Sequence, residues 1–246
     1  MDLRHELYGD LERAGPERLA FVRRAYGYLP SMETPRILDA GCGNGDVTIE
    51  LARLGGGEVV GIDIDGDALG IFEERIRAEQ LESRVSAIHG SMIDMSLSPG
   101  SFDVIWAEGS LHIVGIERRL ETMRHLLRPG GFLVMHESAW LESNPPEGIA
   151  ERWKARFPEI RTLDEFKDWI SGFGYDVTAI LPLPREFWGK NYYRPLEQQI
   201  ERLEEKYRDN NEAIAILERE RQEAALYECS FRWFGSAYFF ARRSEP

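Results

Sequence analysis

A chain of 246 residues, 43% hydrophobic and 30% charged, has the composition of an ordinary soluble protein with room for a sizeable core. The net charge is −13, and basic residues come only in short scattered runs (Arg23-Arg24, Arg118-Arg119, Arg242-Arg243). That argues against a nucleic-acid partner, which needs a basic face to displace phosphate counterions. No apolar run approaches the ~20 residues that cross a bilayer, and the opening Met-Asp-Leu-Arg-His-Glu lacks a signal-peptide core. Cys42 and Cys229 make no disulfide framework, and no His/Cys cluster has metal-ligand spacing. A cytoplasmic chain with free thiols, no metal and no membrane partner is expected.

Residues 2–29 read as two helical segments, with Pro16 placed for the first turn of the second. Strand patterns at 36–39, 58–63, 84–89, 102–106 and 132–136 then alternate with helical patterns at 47–54, 66–80 and 116–127. Such alternation predicts a doubly wound, mostly parallel sheet. Helices are expected at 147–157 and 162–173, with the last strands at 175–181 and 237–241. Between those strands, residues 184–234 hold two long helical patterns where a short turn would suffice. Leu196, Ile200, Leu203 and Tyr207 mark one apolar face, and Ile214, Leu217, Ala224 and Ala225 the other. This insertion reads as a lid over the sheet's C-terminal edge, with a dimerisation arm or a merely stabilising hairpin as alternatives.

The first strand runs into Asp39-Ala40-Gly41-Cys42-Gly43-Asn44-Gly45, and the second ends at Asp63, 22 positions after Gly41. Glycines at a strand-to-helix turn let a ligand approach the backbone, and the helix N-terminus turns free N–H groups toward it. An acidic residue about 20 positions on, at the end of the second strand, is placed to accept ribose hydroxyls. A nicotinamide fingerprint would carry glycine at the position of Asp46. A diphosphate also sits poorly beside Asp39. A cationic, amino-bearing nucleoside, S-adenosylmethionine, fits these residues better than NAD.

The sequence resembles the class I S-adenosylmethionine-dependent methyltransferases, of the type 11-like kind. Asp39 to Gly45 resembles the family's first motif, Gly61-Ile62-Asp63-Ile64 its second, and Ser101-Phe102-Asp103-Val104-Ile105 its fourth strand. Leu127-Arg128-Pro129-Gly130-Gly131-Phe132-Leu133 looks like the turn into the fifth strand. A microbial subgroup is similar also at Gly90-Ser91-Met92, Trp106-x-Glu108-Gly109 and Gly115-x-Glu117-Arg118. The resemblance implies a seven-stranded sheet with an antiparallel edge strand. It implies four regions: N-terminal helices over 1–34, a cofactor-binding core over 35–183, the insertion over 184–234, and the final strand and tail over 235–246.

By the same resemblance, S-adenosylmethionine would be held by Asp39, Gly41, Cys42, Gly43, Asp63, Ile64, Ser91, Met92 and Glu108, leaving S-adenosylhomocysteine as product. Ile64 and Met92 would wall the adenine. Ser91 stands where the family often has Asp, with Asp94 as a substitute. Glu108, Gly109 and Ser110 follow the fourth strand, where methyl group and acceptor meet. His112, Glu108 and Tyr193 are the candidates for acid–base work, although a lone histidine in an apolar run such as that of His112 is more often a packed residue. His136, Glu137, Trp140, Trp188 and Tyr192 stand behind them, the aromatics either closing over the sulfonium or anchoring the insertion. The expected function is in-line methyl transfer to a small-molecule acceptor. A cofactor-binding regulatory protein and an NAD-dependent oxidoreductase are the alternatives.

Overall fold

The structure, a computed structural model, describes residues 3–8, 15–91, 97–109 and 116–245. The chain divides into two compact units. The α/β unit comprises residues 19–138, 163–181 and 237–246, and the helical unit residues 1–18, 139–162 and 182–236.

The strands are β1 (Ile37–Ala40), β2 (Val59–Asp63), β3 (Val85–His89), β4 (Phe102–Glu108), β5 (Leu127–Trp140), β6 (Tyr175–Pro182) and β7 (Phe234–Arg243). They form one seven-stranded sheet in the order β3-β2-β1-β4-β5-β7-β6. β1 pairs in parallel with β2 and β4, β2 with β3, and β4 with β5. β7 runs against both of its neighbours: Leu141 N bonds Trp233 O, and Leu183 N bonds Ser236 O while the Thr178 hydroxyl donates to Phe240 O. The mostly parallel sheet with an antiparallel edge is the architecture read from the sequence. β1 is buried throughout and β4 up to its last residue, which is why their sequences run apolar without alternation.

Helices α1 (Leu3–Tyr8), α2 (Gly15–Tyr26), α3 (Asp46–Leu54), α4 (Gly66–Ala78), α5 (Ile116–Leu126), α6 (Glu147–Arg156), α7 (Leu163–Gly172), α8 (Arg194–Lys206) and α9 (Asn211–Ser230) follow the predicted pattern closely. A short π-turn, Gly189–Tyr193, leads into α8. Among the described residues, no helix is long and apolar enough to cross a membrane.

β5 departs from the sequence reading. The Pro129-Gly130-Gly131 segment lies inside the strand rather than before it, since Phe102 pairs with Leu127 but Val104 with Phe132. The irregularity is held by Asp103, whose buried carboxylate accepts from Arg36 N at 2.7 Å and pairs with Arg128.

In the helical unit the predicted faces of α8 and α9 are buried: Leu196, Ile200 and Leu203 meet Leu217, Ala224, Trp140 and Trp153 in one core. Ala225 is exposed instead, because α9 turns Glu220 and Glu223 inward at the spacing of Leu217 and Ala224. Arg156 of α6 donates to both oxygens of Glu220 at 3.0 Å and pairs with Glu223, while the Tyr193 hydroxyl donates to Glu223 at 3.0 Å. Burial first, and the Glu220 charge, raise the Glu223 carboxyl above its ordinary 4.5, against the pull of Arg156 and Tyr193.

A carboxyl raised on folding stabilises the protein fully below about 4.5 and loses that contribution as pH rises through its folded value. Glu223→Gln removes this dependence. The melting temperature of the wild type should therefore rise relative to Glu223→Gln as the buffer moves from about pH 8 to about pH 5, by about 2–4 °C per kcal/mol of linkage for a chain of this size. A constant difference across that range would show that the cluster does not bind a proton on folding.

Candidate cofactor site

The order of the sheet reverses at β1, since β2 and β3 lie on one side and β4 and β5 on the other. Ligands of such sheets bind in the crevice beyond the strand ends at that reversal. The glycine loop leaves β1 there. Gly41 N and Cys42 N both donate to Ile62 O, at 2.8 and 3.1 Å, so the loop is laced to β2 from its first residue. Gly45 N closes a turn on Cys42 O at 2.9 Å and precedes α3.

Gly43 and Gly45 have positive φ (52° and 80°), for different purposes. A Cβ at Gly45 would lie 1.9 Å from the Phe72 ring, so this glycine lets the loop pack on α4. A Cβ at Gly43 would meet nothing within 4 Å. Gly43 thus leaves open space on the loop, the room that a nucleoside-bearing ligand needs.

Asp63 faces that loop. Its Oδ2 accepts from Gly43 N at 2.8 Å and its Oδ1 from Asp65 N at 2.9 Å. Each carboxylate oxygen keeps a second lone pair for a further donor such as a ribose hydroxyl. The cap of α4 is Asp65, which accepts from Asp67 N and Ala68 N at 3.0 and 3.1 Å and leaves Asp63 out of that role. Ile64 follows with 66% of its surface exposed, an apolar side chain in water beside the carboxylate. The His89 ring bonds the Ile64 carbonyl at 3.0 Å and fixes that backbone.

Asp39 is 3% exposed and accepts from the Thr48 hydroxyl of α3 at 2.6 Å. It holds the helix to the strand. Cys42 is buried; its thiol is pushed up by burial first and then by the Asp39 and Asp63 charges. The same negative field opposes a diphosphate and favours a cation. Asp46 is paired with Arg75 at 2.5 Å, which partly offsets it.

Glu108 ends β4, half-buried. Its Oε1 accepts from Trp106 Nε1 at 2.8 Å and from the Tyr238 hydroxyl at 2.8 Å. His136 is the register partner of Glu108 on β5, and its ring stacks on Tyr238 with centroids 4.5 Å apart. Sequence reasoning gave Tyr238 no role. It lies in an unbroken apolar strand, where a tyrosine reads as core.

Ser91 lies just past β3, beside β2, where Gly90 N bonds Asp63 O at 2.9 Å. Met92, Asp94, Ser110 and His112 lie outside the described residues. Tyr193 belongs to the core of the helical unit, stacked on Tyr227 with centroids 4.3 Å apart. Burial first, and then the Glu223 charge, raise its phenol well above the ordinary tyrosine range. Trp188 donates to the Ser236 hydroxyl at 2.8 Å and meets Tyr192 edge-on, so these aromatics anchor the insertion. Trp140 packs in the same core. Among the described residues, no three His, Cys, Asp or Glu side chains gather as a metal site.

Comparison with known proteins agrees with this geometry. Residues 37–131 match a methyltransferase domain family. The 27-O-demethylrifamycin SV methyltransferase of Amycolatopsis mediterranei is 31% identical over 174 residues, covering 66% of this chain and 62% of that protein. A SAM-dependent methyltransferase from Thiobacillus denitrificans, solved with S-adenosyl-L-homocysteine, superposes with a TM-score of 0.80 at 21% identity, covering 98% of each chain. The [4+2]-cyclase SpnF superposes at 0.77 with 16% identity, over 99% of this chain and 94% of that one. The chain spans 26%, 36% and 62% of the lengths of three curated relatives that it matches. Its fold is that of the class I S-adenosylmethionine-dependent methyltransferases.

Proposed function

We propose that this chain is an S-adenosylmethionine-dependent methyltransferase acting on a small-molecule acceptor. The observation that carries the reading is Asp63, fixed by Gly43 N and Asp65 N opposite the open face of Gly43, with Ile64 exposed beside it. That arrangement fits a ribose with an adenine on the Ile64 side. The carboxylates Asp39, Asp63 and Glu108 around the loop suit a ligand that is a net cation and disfavour NAD. The Amycolatopsis relative is named for a small molecule, and the net charge of −13 disfavours a nucleic-acid acceptor.

S-adenosylmethionine supplies a methyl group already activated on its sulfonium. The residues then have to align it and exclude water, and positioning of this kind can supply ~7–11 kcal/mol of barrier reduction. Asp63 and Ile64 hold the nucleoside end, and the loop from Gly41 to Gly43 lines its path. Ser91 lies beside the adenine, and the sequence alone assigns Met92 to the same wall. Glu108 faces the other end. A phenol or ammonium acceptor also needs a base, for which Glu108 and His112 are placed by sequence; a thiolate or neutral amine needs none.

Calorimetric titration with S-adenosylmethionine and, separately, with NAD tests the reading. Binding of S-adenosylmethionine alone is expected, followed by transfer of a labelled methyl group to members of a small-molecule panel. Binding of NAD alone, or of neither, overturns the assignment.

A further inference from the structure

Trp106 and Tyr238 are both buried, and each donates its polar hydrogen to one oxygen of the same half-buried carboxylate. Buried indole and phenol groups need partners, but nothing requires that both choose Oε1 of Glu108. Two neutral donors on one oxygen fix the plane of the carboxylate and therefore the direction of Oε2. Trp106 is two residues before Glu108, on the same face of β4. Tyr238 comes from β7 and reaches over β5, its ring lying on that of His136.

The register says what the fixed carboxylate faces. Asp39 pairs with Trp106 across β1 and β4, so Glu108 stands level with Gly41, where the loop begins. Ala40 pairs with Ile62 across β1 and β2, so Asp63 stands level with Gly41 on the other side. The backbones that carry Asp63 and Glu108 stand on either side of β1, two strand spacings or roughly 10 Å apart. A ligand with its ribose on Asp63 extends its other end toward Glu108.

We infer that Tyr238, together with Trp106, is a positioning residue that aims Glu108 at the ammonium group of the cofactor's amino-acid end, with His136 as the platform under its ring. This rests on the S-adenosylmethionine reading and deepens it. The aim is set by β7, the antiparallel strand, so that the strand next to the sheet's edge takes part in recognition at its centre.

The test compares two ligands by calorimetry: S-adenosylhomocysteine, which has the amino-acid end, and 5′-methylthioadenosine, which keeps the nucleoside and lacks that end. Tyr238→Phe keeps the ring and removes one hydrogen bond to a charged group. It should weaken S-adenosylhomocysteine about 5- to 10-fold and leave methylthioadenosine within about twofold. Glu108→Gln should weaken S-adenosylhomocysteine at least as much, and adding Tyr238→Phe to it should cost little more, since the hydroxyl then has no charge to aim. Equal weakening of both ligands, no weakening, or full additivity of the two substitutions would overturn the inference and leave Glu108 as a structural acceptor. Should Tyr238→Phe fail to fold, Trp106→Phe replaces it in the same cycle. A wild type that binds neither ligand defeats the cofactor reading itself, and this inference with it.

Discussion

Asp63→Ala should lower S-adenosylmethionine affinity about 100-fold or more while the protein stays folded. Hydrogen bonds to a charged group contribute about 1.5–3 kcal/mol each, and a ribose offers two hydroxyls. The substitution also frees Gly43 N and Asp65 N, which the carboxylate holds at 2.8 and 2.9 Å, so the loop loses its brace as well as its acceptor. Asp63→Asn separates these effects. Its amide oxygen can still accept from one loop N–H, but the charge is gone, and an intermediate affinity is expected. Calorimetry on the three proteins, with melting curves as a control on folding, measures both. Unchanged affinity in Asp63→Ala would remove the ribose assignment and leave Asp63 as a loop brace.

Gly45→Ala should be markedly more destabilising than Gly43→Ala in the same loop. At φ 80° an alanine sits in the left-handed region, which costs about 1–2 kcal/mol. The added Cβ would also lie 1.9 Å from the Phe72 ring, so the ring or the loop must move, at about 1–3 kcal/mol more. The expected fall in melting temperature is roughly 10 °C. Gly43→Ala is the matched control. Its Cβ meets no atom within 4 Å, so only the backbone cost of about 1 kcal/mol remains, with a shift of a few degrees. Its effect falls on the ligand instead, and a loss of about tenfold or more in cofactor affinity is expected, because the methyl occupies room the loop leaves open. If Gly43→Ala binds as the wild type does, the loop does not contact the ligand at that point.

The loop, the strand ends and the place of Asp63 at the end of β2 were legible in the sequence because each depends on local chemistry. Glycine at a positive φ, an apolar run ending in an acid, and the distance between two strand ends all survive without knowledge of the neighbours. The partners of Glu108 were not legible. The hydroxyl that holds it is 130 residues away in sequence, on a strand whose register against β5 no local pattern specifies. Tyr193 misled for the opposite reason. Its sequence neighbours Trp188 and Tyr192 suggest an aromatic mouth, and only the packing of α9 shows that the cluster turns inward on Glu223. Glu220 and Glu223 themselves carried a signal, since they fall at the helical spacing of Leu217 and Ala224. A charge on a buried face is read as an exception until its counter-ion, here Arg156 on α6, is known.

Phe72 gives the glycine loop a history as well as a shape. Its ring would clash with a Cβ at Gly45 and, 2.7 Å away, with one at Gly61, so two glycines on separate elements are fitted to a single aromatic side chain. These three positions cannot drift one at a time. A side chain at position 61 needs room from Phe72 and also from Cys42, whose Sγ would lie 2.9 Å from its Cβ, while shrinking residue 72 alone opens a void beneath the loop. A side chain can be added at this corner of the molecule only together with changes in the neighbours it would meet.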